Sequence, residues 1–234
     1  MDRRDELARN LFAVRERIAR ACDTAGRSSD EVTLVVVTKT HPASDVALLA
    51  ELGVTDVGEN RHPEAAEKQL AAVDAGVALR WHFVGGLQTN KAGAVARYAD
   101  VVHSVDRAKL ARSLDRGAQA AGRTLRCLVQ VDFDTTDPGR AGVPPADVPV
   151  LADVIAGECP HLELGGVMTV APLGQDPAPS FAHLREISAE LRRTTPSATM
   201  ISAGMSEDFE VAIAHGATHV RVGRSVLGQR PVLQ

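Results

Sequence analysis

The chain is poor in aromatic residues and has no excess of positive charge. Phenylalanine, tryptophan and tyrosine make up 3% of its 234 residues, which argues against the stacking platforms that bind single-stranded nucleic acid. Lysine and arginine number 26 against 30 aspartates and glutamates, so the formal net charge is −4. Basic patches for nucleic acid or anionic membranes are therefore not expected, and we predict that the partners include neither.

Cysteines and long apolar runs are also scarce. The three cysteines, Cys22, Cys127 and Cys159, are odd in number and form no Cys-x-x-Cys pair. This argues against a disulfide scaffold or a thiolate zinc site, and it predicts small buried side chains in a reducing cytoplasm. No run approaches the roughly 18 apolar residues of a membrane span. The acidic, Arg-rich N-terminus lacks the apolar segment of a signal peptide.

The first 27 residues have the pattern of an amphipathic helix. Leu7, Leu11, Val14, Ile18 and Cys22 recur at helical spacing. We expect this helix to pack on the rest of the domain, and a partner-binding or dimer helix is the alternative.

After this segment, β-branched runs alternate with Ala- and Leu-rich helical stretches. The eight candidate strands span residues 32–38, 54–58, 80–84, 101–105, 125–133, 162–170, 199–202 and 219–222. The helical patterns span residues 44–52, 63–75, 89–98, 107–121, 145–156, 177–193 and 207–215, with a short tail helix after Gly223. Eight βα units predict one α/β domain over residues 1–234, a (β/α)8 TIM barrel. An open doubly wound sheet is the alternative, but the first turn, residues 38–42, lacks the glycines typical of that fold.

Lys39 is the most informative residue at the predicted mouth of this barrel. Active sites of such barrels lie at the C-terminal ends of the strands, and Lys39 follows a wholly apolar strand. Partial desolvation disfavours the ammonium form of a lysine, and a neutral amine attacks aldehydes to form a Schiff base. An ion pair with Glu59, or with an aspartate at the mouth, explains this lysine equally well.

The ends of strands seven and eight have the features of a phosphate site. Ser202 and Gly204 precede a helix expected to open at residues 206–208, while Gly223 and Arg224 follow strand eight. Backbone N–H groups at helix starts favour anions, and phosphate sites in these barrels often form after these two strands. The alternative is that Ser206 only caps a helix and that the glycines serve tight turns.

Other motifs carry less information. The chain contains no GxGxxG, GxxxxGK[ST] or HExxH motif. His82 faces either the barrel mouth or the core, and Trp81 is expected in the core. Asp132, Asp134 and Asp137 lie close together, but the glycine and terminal glutamate of an EF-hand are missing, so we expect a solvated loop.

Taken together, several motifs resemble the pyridoxal 5′-phosphate homeostasis protein family. They are residues 37–42 (VTKTHP), 58–61 (GENR), 81–85 (WHFVG), 87–91 (LQTNK), 204–206 (GMS) and 221–223 (RVG). The resemblance runs from the first helix to the last residues. It implies a single barrel similar to the N-terminal domain of alanine racemase, fold type III among pyridoxal 5′-phosphate (PLP) proteins, with PLP as the cofactor.

The resemblance also assigns roles to eight positions. Lys39 matches the family lysine that forms the Schiff base with PLP. The other seven match cofactor contacts: Asn60 beside the cofactor, Ser202, Gly204 and Met205 at the phosphate after strand seven, Gly223 and Arg224 at the phosphate after strand eight, and Arg221 at the pyridine nitrogen. No metal is implied.

Three departures from the family pattern stand out. Arg224 replaces a usual Thr or Ser, so its backbone N–H is retained but a hydroxyl contact is lost. His62-Pro63 stands where Val or Tyr and then Gln are commoner. The stretch from Asp134 to Gly142 replaces a loop with a Ser-Lys-x-Gly-like sequence, and Arg140 is the nearest counterpart of its lysine.

The resemblance together with chemistry favours a carrier over an enzyme. PLP is a strong electron sink when an acid protonates its ring nitrogen, and Arg221 only donates hydrogen bonds. Racemisation also needs two bases. In alanine racemase one is a tyrosine supplied through a C-terminal β-domain, for which we expect no counterpart because the chain ends at Gln234. The single tyrosine, Tyr98, falls in a helical pattern before strand four, on the side remote from the site.

We therefore expect a cytoplasmic PLP homeostasis protein, a monomer or weak dimer, that holds the cofactor on Lys39 and releases it to apo-PLP enzymes by transimination. A weak amino-acid racemase with His82 as a base is one alternative. An aldolase-like barrel that binds a phosphorylated sugar without a cofactor is another.

Overall fold

Eight short parallel strands pair in chain order and close on themselves. The computed structural model describes residues 2–134 and 139–229. Its strands are β1 (Thr33–Val37), β2 (Asp56–Glu59), β3 (Arg80–Phe83), β4 (Val101–Val105), β5 (Leu125–Val131), β6 (Leu162–Thr169), β7 (Met200–Ser202) and β8 (His219–Val222). β8 pairs with β1, so the sheet is a closed barrel and the predicted (β/α)8 fold is confirmed. All eight predicted strands are present, with ends that differ by two residues or fewer.

Helices cover the outside of the barrel. They are α1 (Arg3–Thr24), α2 (Ala43–Glu51), α3 (Glu64–Asp74), α4 (Ala92–Val95), α5 (Ala108–Ala120), α6 (Val148–Glu158), α7 (Ala178–Thr194), α8 (Phe209–Ala214) and α9 (Arg224–Leu227). The helix predicted over residues 89–98 is shorter than expected, a 3₁₀ turn followed by α4. It ends early because Asp100 already pairs with Trp81 at the start of β4, through both its backbone N–H and its side chain.

The N-terminal helix packs on the barrel along its predicted face. Leu7, Leu11, Val14, Ile18 and Cys22 are its buried residues, and the helix lies against α8 and α9. The amide of Asn10 donates to the Val226 carbonyl, and the Arg17 guanidinium donates to the Glu210 carboxylate. The expected packing role of α1 is confirmed.

Apolar side chains fill the space between strands and helices, which explains why the strand sequences show so little alternation. Trp81 is buried there, as expected, and Cys22, Cys127 and Cys159 are all buried and unpaired. Val101, Leu128, Met168 and Met200 form a second, smaller apolar cluster. His103 shares the face of Val101 along β4, because side chains two residues apart on a strand point the same way.

The C-terminal ends of the strands form the mouth of the barrel, and the loops that follow them surround it. Residues 135–138, including Asp137, lie outside the described residues, so the predicted loop from Asp134 to Gly142 is described only at its ends. Among the described residues, no helix combines the length and apolar character that crossing a membrane requires.

Candidate functional site

A cavity of about 550 Å³ opens at the C-terminal mouth of the barrel. Six of the eight predicted site residues line it: Lys39, Asn60, Met205, Arg221, Gly223 and Arg224. The other two, Ser202 and Gly204, do not line it, but both accept hydrogen bonds from Arg221, which does. Residues from β1, β2, β7 and β8 thus meet in one space, as expected for strand ends in such a barrel.

Lys39 is held by an unusual backbone conformation next to it. Thr40 has φ = 67°, the left-handed region that β-branched residues avoid. Its backbone N–H donates to Glu64 Oε1 at 2.5 Å. On the other side of Lys39, the Thr38 hydroxyl donates to Glu59 Oε1 at 2.6 Å. Lys39 is therefore flanked by two residues that are each bonded to a carboxylate.

Both carboxylates belong to a buried ion cluster around Lys68. The Lys68 ammonium donates to Glu59 Oε1 and Glu64 Oε1 at 2.7 Å each, and to the Thr38 carbonyl at 2.8 Å. Lys68 and Glu59 are almost wholly buried. Glu59, which the alternative interpretation assigned to Lys39, is bonded to Lys68 and Thr38. We refer to Glu59, Glu64 and Lys68 as the buried ion cluster.

The two glutamates of the buried ion cluster respond differently to their surroundings. Burial raises the pKa of Glu59, and its hydrogen bonds from Lys68 and Thr38 only partly oppose that effect. Burial also acts to raise the pKa of Glu64, but hydrogen bonds from Lys68 and the Thr40 N–H outweigh it, so the net pKa is lowered. Of the two glutamates, the one that accepts from the Thr40 backbone, Glu64, is therefore the one whose pKa favours the ionised form.

Asn60 is placed by a close backbone contact. A methyl carbon at Gly85 would lie 2.4 Å from the Asn60 carbonyl oxygen, so only glycine allows this approach. The side-chain Oδ1 of Asn60 is buried and has no hydrogen-bond partner among the described residues. A buried oxygen of this kind at a cavity wall is suited to a ligand or to water.

The strand-seven side of the cavity is built from backbone. Gly204 has φ = 89° and its carbonyl accepts from the Arg221 N–H. The Met205 N–H donates to Asp208 Oδ1 at 2.6 Å. The helix expected to open at residues 206–208 begins at Phe209, because Asp208 folds back onto Met205 and the intervening residues form a turn. Ser206 therefore lies in a turn and does not cap α8.

Arg224 and Arg221 differ sharply in burial. The Arg224 guanidinium pairs with Glu207 at 2.8 Å, and both side chains are more than two-thirds exposed. Arg221 is buried, and its guanidinium donates to Ser202 Oγ at 2.6 Å and to the Thr169 carbonyl at 2.8 Å. Burial lowers the pKa of Arg221 to about 10, against a smaller opposing effect of Asp208.

Neither residue considered as a second base faces the cavity. His82 is buried in the core, bonded to Asp56 and His103, so of the two interpretations of this residue the core one is correct. Tyr98 is buried and its ring stacks on His62, with centroids 6.0 Å apart. His41 does line the cavity, and it lies 3.6 Å from the Asp45 carboxylate.

The two remaining departures from the family pattern are local. The His62–Pro63 peptide bond is cis, and α3 begins directly after it at Glu64. Arg140 pairs with Asp132 at 3.1 Å and with Asp134 at 3.8 Å, and it donates to the Val170 carbonyl. The expectation of a solvated loop is wrong for these aspartates, because Arg140 draws both into contact. The described residues contain no cluster able to hold a metal ion.

Sequence reasoning missed Lys68 and Glu64. Their spacing of four residues on a helix is typical of an exposed ion pair. A signal was present, however, because Lys68 shares its helix face with Ala65 and Ala72, the other buried residues of α3. A lysine on an apolar stripe indicates a buried partner.

Comparisons with known proteins agree with this architecture. Residues 10–231 match the family model of the alanine racemase N-terminal domain. The pyridoxal phosphate homeostasis protein of Mycobacterium tuberculosis is 43% identical over 98% of this chain and 95% of its own length. The protein of the same name from Escherichia coli is 35% identical over 97% of each chain.

A solved structure is similar over its whole length. PipY of Synechococcus elongatus, with PLP bound, has a TM-score of 0.79 and 34% identity, over 95% of this chain and 100% of PipY.

Proposed function

Because this chain belongs to the pyridoxal phosphate homeostasis proteins of the alanine racemase N-terminal domain family, we propose that it binds PLP in the cavity at the barrel mouth. Its role is PLP homeostasis and delivery inside the cell. The observation that carries the proposal is the meeting of Lys39, Asn60 and Arg221 on the wall of one cavity.

The residues present fit the chemical groups of PLP. The aldehyde calls for a primary amine, which Lys39 supplies. The phosphate calls for N–H donors, which the backbone of Gly223 and Arg224 offers, as in other barrels of this class, whereas the Met205 N–H donates to Asp208 Oδ1. The cavity volume of about 550 Å³ lies in the range of small-ligand sites. The unpartnered Oδ1 of Asn60 is a polar atom ready for a ligand.

Lys39 would hold PLP as a Schiff base. When bound, PLP would supply an aldehyde that reacts reversibly with primary amines, with loss or uptake of one water, so Lys39 would hold it and an incoming amine could take the place of Lys39. Lys39 must therefore be both fixed and reachable. The buried ion cluster fixes its two neighbours, Thr38 and Thr40, while Lys39 itself lines the open cavity.

Arg221 favours a protein that holds PLP over an enzyme that uses PLP for catalysis. Its guanidinium donates hydrogen bonds and remains protonated at neutral pH even with its pKa lowered to about 10. It cannot act as the acid that makes the ring a strong electron sink. The described residues that line the cavity include no tyrosine. The competing function, a weak amino-acid racemase, has His41 rather than His82 as its available base.

The first experiment tests the covalent attachment. We expect added PLP to give a visible absorption band that borohydride abolishes, with the reduced adduct mapped by mass spectrometry to Lys39. Lys39→Ala should lose the adduct, while Lys109→Ala, at an exposed lysine of α5, should keep it. A reducible adduct in the cavity of Lys39→Ala would refute the assignment.

The second experiment separates carrier from enzyme. We propose a cytoplasmic monomer or weak dimer that passes PLP to apo-PLP enzymes. The loaded protein should restore activity to such an apo-enzyme faster than the borohydride-reduced protein does. Sustained exchange of the Cα proton of L- or D-amino acids with solvent would instead establish the racemase.

A further inference from the structure

Five buried polar side chains form a continuous line of hydrogen bonds through the inside of the barrel. Asp56 Oδ1 lies 2.8 Å from His82 Nε2, and His82 Nδ1 lies 2.8 Å from His103 Nε2. His103 Nδ1 lies 2.8 Å from Ser202 Oγ, which lies 2.6 Å from Arg221 Nη1. Asp56 is the first residue of β2 and Arg221 lines the cavity. The line therefore runs from the N-terminal end of the barrel to its C-terminal mouth.

Chemistry at the Arg221 end sets the direction of this line. A guanidinium only donates, so Ser202 Oγ accepts from Arg221 and has one hydrogen left to give. Ser202 is buried, and among the described residues His103 Nδ1 is the only acceptor within reach of that hydrogen, so Ser202 donates to it, which places the proton of a neutral His103 on Nε2. His103 Nε2–H then donates to His82 Nδ1, which leaves the proton of His82 on Nε2, where it is donated to Asp56.

The opposite end agrees with this direction. The reverse order would need a proton on Asp56. Burial acts to raise the pKa of Asp56, but hydrogen bonds from His82 and Thr55 outweigh it and the pKa is lowered. Asp56 also accepts from Arg80 at 3.1 Å. An ionised Asp56 only accepts, so both ends impose the same direction.

His103, in the middle of the line, stays neutral for a physical reason. Burial, with the charge of the nearby Arg221, holds the pKa of His103 well below its ordinary value. The His219 ring lies 6.2 Å from that of His82, and burial lowers the pKa of His219 to about 3. Arg80 and Arg221 thus lie at the two ends of the line, with the neutral His103 between them.

Arg221 depends on this line because it has little other support. Among the described residues, no carboxylate lies within ion-pair distance of its guanidinium. Its recorded side-chain contacts are with Ser202 Oγ and the Thr169 carbonyl. The hydrogen of Ser202 in turn has an acceptor in His103, so the hydroxyl is oriented with a lone pair towards Arg221.

We propose that Asp56, His82, His103 and Ser202 are positioning residues that orient the guanidinium of Arg221 at the PLP site through a one-way hydrogen-bond chain. None of the four lines the cavity, so each acts on the ligand only through Arg221. The inference rests on the proposed function in one respect, since PLP is the ligand whose affinity is measured.

The chain can be tested without any ligand. Nitrogen-15 NMR of histidine-labelled protein, free of PLP and near neutral pH, reports which ring nitrogen carries the proton. We expect His82 and His103 both to be neutral with the proton on Nε2, with resonances assigned through His82→Gln and His103→Gln. A proton on Nδ1 of either ring, or two protons on His82, would overturn the proposal.

The consequence for the cavity is tested with near-isosteric variants, which are expected to fold. Ser202→Ala removes the link to Arg221, and Asp56→Asn removes the charge at the far end. Ser104→Ala is the matched control, because Ser104 is buried beside His103 and its hydroxyl has no partner among the described residues. We expect PLP affinity to fall about tenfold in Ser202→Ala and about threefold in Asp56→Asn, with less than about twofold change in Ser104→Ala.

The two readouts separate this inference from the proposed function. Ser202→Ala should also shift the His103 Nδ1 resonance in the ligand-free protein, because that nitrogen loses its donor. If Ser202→Ala binds PLP as tightly as Ser104→Ala does, the positioning role is refuted. If the unaltered protein fails to bind PLP while the predicted ring protonation is seen, the proposed function fails and the hydrogen-bond chain stands.

Discussion

The two sides of the cavity are built in opposite ways. On the Lys39 side, the loop after β1 is held by buried charges: Lys68 bonds both Glu59 and Glu64, and Glu64 bonds the Thr40 backbone. On the side of β7 and β8, apart from the buried Arg221, the wall is mostly backbone, and its ion pair, Arg224 with Glu207, is largely exposed.

This difference matches the role that we propose for each side. A covalent site needs one side chain at one position, and buried ion pairs with good hydrogen bonds give such definition at the cost of desolvation. An anion site made of N–H groups needs only the right backbone path, which a glycine in the left-handed region supplies. Substitutions on the two sides should therefore destabilise the protein for different reasons, loss of buried ion pairs on one side and a changed backbone path on the other.

The largest effect is expected from Lys68→Met. Removing the ammonium leaves Glu59 buried without its cation, and breaking a buried pair in this way lowers the free energy of unfolding by about 3–5 kcal/mol. Urea denaturation measures it, with Lys109→Met on the exposed face of α5 as the control. A loss below about 1 kcal/mol would mean that the buried ion cluster does not support the Lys39 loop.

The next largest loss of stability is expected from Gly204→Ala. A comparison with Gly216→Ala separates its two causes, backbone strain and steric overlap. Gly204 and Gly216 have nearly the same φ, 89° and 90°. A Cβ at Gly204 would lie 2.7 Å from Phe209 Cα, whereas at Gly216 the nearest atom is 3.5 Å away on the Arg185 side chain. We expect unfolding free energy to fall by about 3 kcal/mol in Gly204→Ala and by about 1 kcal/mol in Gly216→Ala.

Equal losses in these two variants would contradict the steric part of the argument. They would show that the backbone conformation alone, and not the contact with α8, requires glycine at the strand-seven side.

A stabilising change is expected at Thr40. Glycine at this position relieves the left-handed strain at φ = 67° and removes a buried hydroxyl that has no partner among the described residues. We expect Thr40→Gly to raise the unfolding free energy by about 0.5–1 kcal/mol, net of the greater freedom of glycine in the unfolded chain.

Thr40→Ala separates the two contributions, because it removes the hydroxyl and keeps the strain. If Thr40→Gly is no more stable than Thr40→Ala, measured by thermal denaturation, the strain argument is wrong.

The smallest effect is expected from Arg224→Ala. Exposed ion pairs contribute little, so the free energy of unfolding should change by less than about 0.5 kcal/mol. Because the backbone N–H remains, PLP affinity should fall by less than about threefold. Titration of PLP against this variant and against Glu207→Gln measures it. A tenfold loss in Arg224→Ala alone would show that the guanidinium itself binds the phosphate.

Sequence reasoning was most accurate for candidate site residues that follow the end of a strand. Lys39 and Asn60 follow β1 and β2, and a barrel requires strand ends to meet at one mouth. It was weakest for residues whose role depends on a partner far along the chain. Lys68 has the spacing of a surface pair with Glu64, and nothing local shows that Glu59 and the Thr38 carbonyl complete its coordination.

The amino-acid pattern by itself determined the succession of strands and helices, the apolar face of α1 and the lysine at the mouth, because these depend on periodicity and on neighbours in the chain. Only the closed barrel decided that Asp56, His82, His103, Ser202 and Arg221 form one line. The physical reason is that those contacts join inward-facing side chains of five strands. Such side chains meet only after β8 has paired with β1 and a common interior exists.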